Sequence, residues 1–139
     1  MYVSAAQTGL DNDALSQILA SSRRNNAPDG ITGMLIHIDG GFMQILEGEE
    51  DAVRRTYARI GRDTRHDSVR TLFDRPVTKR LFPDWTVGFD RPMPGDHESA
   101  GIFEATRSAV EGAVGQDRAL EVAILLRTFY LVNTNRHAA

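Results

Sequence analysis

The chain has 139 residues, 41% of them hydrophobic and 25% charged, a formal net charge of −3 and no cysteine. These are the proportions of a single globular domain with an ordinary core. Both signs of charge are mixed along the chain, so nucleic-acid and membrane-surface binding have no support. The absence of cysteine excludes a disulfide frame, a thiolate metal site and a cysteine nucleophile. No signal peptide and no run near the roughly 20 apolar residues of a membrane span is visible, and a cytoplasmic location is the expectation.

Residues 1–5 read as a short strand with Tyr2 and Ser4 on one face and Val3 on the other. The stretch 8–11 can cap a helix. Leu10, Ala14, Leu15, Ile18 and Leu19 then recur at helical spacing. The helix is expected to end near Arg24, before the polar pair Asn25 and Asn26, because Pro28 and Gly30 forbid its continuation. Residues 31–38 form a mostly apolar run rich in branched side chains, which predicts a strand. Asp39 and Gly40 give a strong hairpin signal, and residues 42–46 form the return strand.

In the middle of that return strand stands Gln44, an amide among apolar neighbours. A buried amide must find partners for two donors and an acceptor, or it costs about 1–3 kcal/mol. A buried Gln44 therefore implies a polar object in the core, be it a side chain, water or a ligand. The alternative is a glutamine on the solvent face of an edge strand.

Residues 49–62 carry Ala52, Val53, Tyr57 and Ile60 on one face and predict a second helix. Residues 68–78 read as a strand with Pro76 at its edge or end, and residues 85–89 as a final short strand. The order βαββαββ, with two helices on one face of a largely antiparallel sheet, is an α+β, ferredoxin-like sandwich. The expected domain covers residues 1–90 and a linker follows at 91–97. Two additional C-terminal helices are expected within 98–132, broken at Gly115 and Gln116. The second is apolar round much of its circumference and must pack on the bare sheet face or in a partner chain. The tail, 133–139, is expected to fray.

Five separated stretches occur in a telling order: Asn25-Asn26, Gly30-Ile31-Thr32-Gly33-Met34-Leu35-Ile36, Phe42-Met43-Gln44-Ile45-Leu46-Glu47-Gly48, Asp63-Thr64-Arg65-His66, and Arg80-Leu81-Phe82-Pro83-Asp84-Trp85. Over about residues 1–90 the chain resembles the BLUF family, blue-light sensors that bind FAD. The resemblance implies a flavin slot between the two helices, with Ile18, Ile31 and Ile60 as walls. It implies that Asn26 bonds the flavin C4 carbonyl and N3 edge, with Asn25 beside it, and that Arg65 faces the C2 carbonyl. Asp63 and His66 complete that segment. The other reading of the asparagines is a pair of helix-terminal residues in capping or left-handed geometry.

Tyr2 and Gln44 carry the photochemistry in this reading. The phenol supplies an electron and a proton, Gln44 bridges phenol and flavin, and its amide is left rotated or tautomerised. Trp85 matches the family tryptophan that exchanges places near the glutamine with a methionine two residues later. That methionine is here Val87, stiff and short where methionine is flexible, so output through the last strand is in question. Family members usually have several residues before the tyrosine, whereas Tyr2 follows Met1 directly. A frayed first strand would weaken FAD retention.

No catalytic turnover is expected. A ferredoxin-like acylphosphatase would need an arginine in the loop after the first strand, and residues 5–9 contain none. A BLUF-like binding or oligomerisation module with weak or lost flavin binding is the remaining alternative. With no output domain in the sequence, the signal is expected to leave through contacts with a separate downstream protein. The C-terminal helices are the expected interface of a homo-oligomer.

Overall fold

A computed structural model describes residues 1–7, 11–38, 40–84, 86–87, 121, 124–125, 128–129 and 131–132. The elements follow the expected order: β1 (Tyr2–Ala6), α1 (Asn12–Asn26), β2 (Thr32–Ile38), β3 (Gly41–Glu47), α2 (Glu50–Gly61), β4 (His66–Thr71) and β5 (Thr86–Val87). The sheet order is β4-β1-β3-β2-β5. Every pairing is antiparallel except that of β5, which runs parallel to β2. This is the α+β, ferredoxin-like arrangement, and it puts β3 in the centre of the sheet.

Helix α1 starts where Asp11 caps it, its carboxylate accepting from the Ala14 amide at 2.8 Å. It runs to Asn26, past the expected end at Arg24. The turn that follows closes with Gly30 donating to the Ala27 carbonyl and Ile31 to that of Asn26. Gly30 has φ +65, a conformation that glycine adopts without steric cost.

Strand β4 departs from the sequence reading at both ends. It begins at His66 and stops at Thr71, well short of residue 78. The amides of Leu72 and Phe73 both turn to the carbonyl of Met1, which takes the chain off the ladder before Pro76. Within β4 the register against β1 shifts between Val3 and Ala5, and Ser68 sits at φ 51, the mark of a bulge. The bulge lets His66 and Thr71 both reach the helical side of the sheet.

The two faces of the sheet build separate cores. On the helical side Ile18 and Leu19 of α1 pack with Leu35 and Phe42. On the other side Met34, Met43 and Ile45 pack with Phe82, as strand alternation requires. Leu125 and Phe129 of the C-terminal segment also lie against this second cluster, while Ile124, Leu131 and Val132 are exposed. The remaining residues expected in the linker, in the helical pair and in the tail lie outside the described residues, as does Trp85.

A buried carboxylate ties the centre of the sheet to the segment leading into β5. Glu47, at the end of β3, accepts from the amides of Leu81 at 2.8 Å and Phe82 at 2.7 Å. Arg80 donates to the Gly30 carbonyl and to Thr32 Oγ1. Among the described residues no helix is long and apolar enough to cross a membrane, and no cluster of acidic and histidine side chains could hold a metal ion.

Candidate functional site

Cross-strand register assembles the site. Tyr2 of β1 stands directly opposite Gln44 of β3, and Gln44 opposite Leu35 of β2. Directly opposed residues share a face, so phenol and amide meet on the helical side of the sheet. Both are buried, at 2% exposure each, and the Tyr2 hydroxyl donates to Gln44 Oε1. Although it follows Met1 directly, Tyr2 is firmly held. Its backbone is paired on both sides, and its ring packs on that of Tyr57, with centroids 5.4 Å apart. The Tyr57 hydroxyl is hydrogen-bonded to Thr71 Oγ1 at 2.7 Å. Burial, with smaller contributions from Tyr57 and Asp63, pushes the Tyr2 phenol far above its ordinary pKa, so it stays protonated at any physiological pH.

The edge-strand alternative for Gln44 is overturned, because β3 is the central strand. With its oxygen occupied by Tyr2, the amide nitrogen of Gln44 is buried and has no hydrogen-bond partner among the described residues. Leaving such a donor unmet costs about 1–3 kcal/mol. Gln44 is also part of the wall of a cavity of about 280 Å³, close to the lower end of the roughly 300–1,000 Å³ of small-molecule sites. An unpaired donor in a cavity wall is what a ligand with an acceptor at its edge would satisfy.

Helix α1 supplies Ile18, Ser21, Ser22, Asn25 and Asn26 to that wall; the end of α2 and the loop after it supply Arg59, Ile60, Arg62, Asp63 and Arg65. Leu35 and His66 of the sheet complete it with Gln44. Asn26 is buried, and its side-chain oxygen accepts from Arg59 Nη2 at 3.3 Å. Both asparagines are helical, and the residue after them is right-handed too, so the left-handed reading does not hold. Asp63 holds Arg65 through its side chain and its backbone amide. The Arg65 guanidinium keeps the Asp63 carboxyl below the usual range, and the pair presents little net charge.

Of the expected apolar walls, Ile18 and Ile60 line the cavity. Ile31 is buried but does not; its side chain lies against Gly48. Ser21, Ser22, Leu35, Arg59 and Arg62 were not foreseen. The spacing of Ile18, Ser21, Ser22 and Asn25 at three and four residues carried the signal for the two serines, because such positions share one helix face. Nothing local marked Arg59.

His66 bonds Ser4 Oγ through Nδ1 at 3.0 Å and packs on Phe42. Its pKa is lowered by burial first, and Asp63 and Arg65 act in opposite directions on it. The unfolded chain, with a histidine near 6.5, therefore binds protons at this position before the folded chain does, and stability is lost as the pH falls below about 6.5. Urea unfolding at pH 7.5 and pH 5 is expected to show this loss, and the His66→Phe variant a smaller one. An unchanged pH dependence in the variant would contradict the assignment.

A ferredoxin-like sheet with a flavin-sized cavity under its two helices defines a class, and comparison with known proteins places the chain within it. The sequence model of the BLUF family, described as sensors of blue-light using FAD, matches residues 1–88. The beta subunit of photoactivated adenylate cyclase from Euglena gracilis is 41% identical over 87 residues, 62% of this chain and 10% of that protein. The alpha subunit from the same organism is 33% identical over 81 residues, 58% of this chain and 8% of that protein. The chain thus spans about a tenth of the length of these curated relatives. Among solved structures, the dark state of BlrB, a BLUF protein, superposes with a TM-score of 0.62 at 28% identity, covering 78% of this chain and 92% of that one. A bacterial light-regulated adenylyl cyclase gives 0.64 at 29% identity, covering 96% of this chain and 38% of that one.

The chain belongs to the BLUF family, sensors of blue light that use FAD.

Proposed function

We propose that this chain is a blue-light photoreceptor in which Tyr2 and Gln44 convert absorption of light into a rearranged hydrogen-bond network. The observation that carries the reading is the Gln44 amide, its oxygen bonded to Tyr2 and its nitrogen unpartnered in the cavity wall. FAD supplies the light absorption and, once excited, a strong one-electron oxidant. Asn25, Asn26 and Arg65 hold its polar edge, Asp63 fixes the Arg65 fork, and Ile18 and Ile60 flank the ring. Ile31 has no place in that wall.

Loss of an electron turns the Tyr2 phenol into a strong acid, and its proton passes to Gln44 Oε1. When proton and electron return, the amide is left rotated or tautomerised. In either form Tyr2 faces a donor in place of an acceptor, and the hydrogen bond that the amide offers to the cavity changes with it. That change is local, and β3 carries it toward Glu47 and the segment before β5. Val87 belongs to that last strand. The backbone of Val87 pairs with Leu35, itself opposite Gln44.

In this reading the chain has no catalytic turnover of its own and signals in the cytoplasm to a separate protein. The curated relatives above are adenylate cyclase subunits, and an effector of that kind is one form such a partner takes. The C-terminal helices join chains into a homo-oligomer. The test is reconstitution with FAD followed by absorption spectroscopy. The protein is expected to retain the flavin through gel filtration, shift its absorption to longer wavelength under blue light and recover in the dark. Retention without any shift would leave a flavin-binding module and refute the photoreceptor; no retention would refute both.

A further inference from the structure

The wall of the cavity carries more positive charge than a neutral flavin ring requires. Three arginines and one aspartate line it, on a chain whose formal net charge is −3. Asp63 and Arg65 neutralise each other, which leaves Arg59 and Arg62. Both are exposed, and among the described residues neither has a carboxylate partner. Arg59 is turned toward the cavity by its bond to Asn26. Across from them Ser21, Ser22 and Asn25 offer further donors.

Basic residues in the last turn of a helix also complement its dipole, but that role requires no particular direction of the side chain and no bond to the opposite helix. The dipole itself disfavours an anion at this end, so the guanidinium forks must make any anionic contact. Size points the same way. A cavity of about 280 Å³ accommodates a three-ring system but not a dinucleotide. Whatever extends from the ring must reach beyond the cavity, and Asn25, Arg59 and Arg62 are lining residues that are exposed to solvent.

We propose that Arg59 and Arg62 form a phosphate-holding rim, so that this site selects flavins that carry a phosphate over riboflavin. The proposal rests on the flavin reading above and adds the residues that discriminate among flavins. Guanidinium forks suit phosphate oxygens because they offer paired donors in one plane. The contact is exposed, so salt screens it.

The test is titration of the flavin-free protein, in the dark, with riboflavin, FMN and FAD, following quenching of flavin fluorescence at low and high salt. FMN and FAD are expected to bind at least about tenfold more tightly than riboflavin at low salt, equivalent to about 1.4 kcal/mol. The gap should narrow at high salt. Inorganic pyrophosphate should weaken FMN binding and leave riboflavin binding alone. In Arg62→Gln the ratio of FMN to riboflavin affinity is expected to collapse toward one. Arg59→Lys, which keeps the charge but loses the fork, should retain part of it.

Equal affinity for all three flavins in the unsubstituted protein would overturn the rim while leaving the flavin reading intact. So would an Arg62→Gln variant whose ratio is unchanged. Failure of all three to bind would overturn both.

Discussion

Tyr2→Phe is expected to abolish the light-induced spectral shift while leaving FAD bound. The phenyl ring keeps the packing on Tyr57 and the place opposite Gln44. It loses the hydroxyl that donates to Gln44 Oε1, and with it the source of the proton. The expected loss is complete rather than partial, because the donor and the bridge form one unit. The Tyr57 hydroxyl is engaged with Thr71. The folded protein should survive, since the change strands the amide oxygen of Gln44 at a cost of about 1–3 kcal/mol. Absorption spectra before and after blue light check this, with flavin content measured on the same sample. A normal shift in Tyr2→Phe would remove Tyr2 from the mechanism.

Gly33→Ala is expected to be the most destabilising conservative change in the sheet. Gly33 has φ +152, and a Cβ built there would lie 1.8 Å from the carbonyl oxygen of Ile45 and 2.8 Å from its carbon. Those are backbone atoms of β3, the residue after Gln44, and they cannot rotate away as a side chain can. The hairpin must open or β3 must shift, and either displaces Gln44 from Tyr2. A cost of at least about 3 kcal/mol is expected, in the range of the severe single substitutions. Urea unfolding measures it, and a Gly33→Ala protein as stable as the original would show that the close approach is not real. Gly40, in the hairpin turn at φ 78 with open space around its Cβ position, should tolerate asparagine, which visits that conformation.

These two residues show what the sequence made legible. Periodicity revealed both helices, and the glycine-rich turn between two apolar runs revealed the hairpin, because each signal is local. That Tyr2 meets Gln44, 42 residues further on, was legible only through the family resemblance, because no local pattern sets the register of two strands so far apart in sequence. Whether Gln44 was central or at an edge did not follow, since strand order depends on crossovers that no local pattern encodes. The end of β4 at Thr71 was hidden for the same reason: it is set by a carbonyl of Met1. Thr56 stands on the buried face of α2 and is itself 1% exposed, which the pattern of Ala52, Val53, Tyr57 and Ile60 did not reveal. Nothing local marked Glu47 as a buried acid, because its partners lie 34 and 35 residues further on.

The candidate site divides similarly. Asn25, Asn26, Gln44, Asp63, Arg65 and His66 were singled out through the family resemblance, and the fold gathers all six around one cavity. Ile31 was named as a wall of the slot that the resemblance implies. It lies one residue ahead of β2 and packs instead against Gly48. Arg59 and Arg62 were not singled out, because only the position of α1 beside α2 gives them a cavity to face.

The amide of Gln44 is the hinge of the account, and isotope-edited infrared spectroscopy observes it directly. The protein is labelled in the glutamine side-chain amide, loaded with FAD, and its light-minus-dark difference spectrum recorded alongside that of Gln44→Leu. The account predicts a label-sensitive side-chain carbonyl band that changes frequency on illumination in the first protein and is missing from the second. A red-shifted flavin with no label-sensitive band, or with the same band in Gln44→Leu, would contradict it.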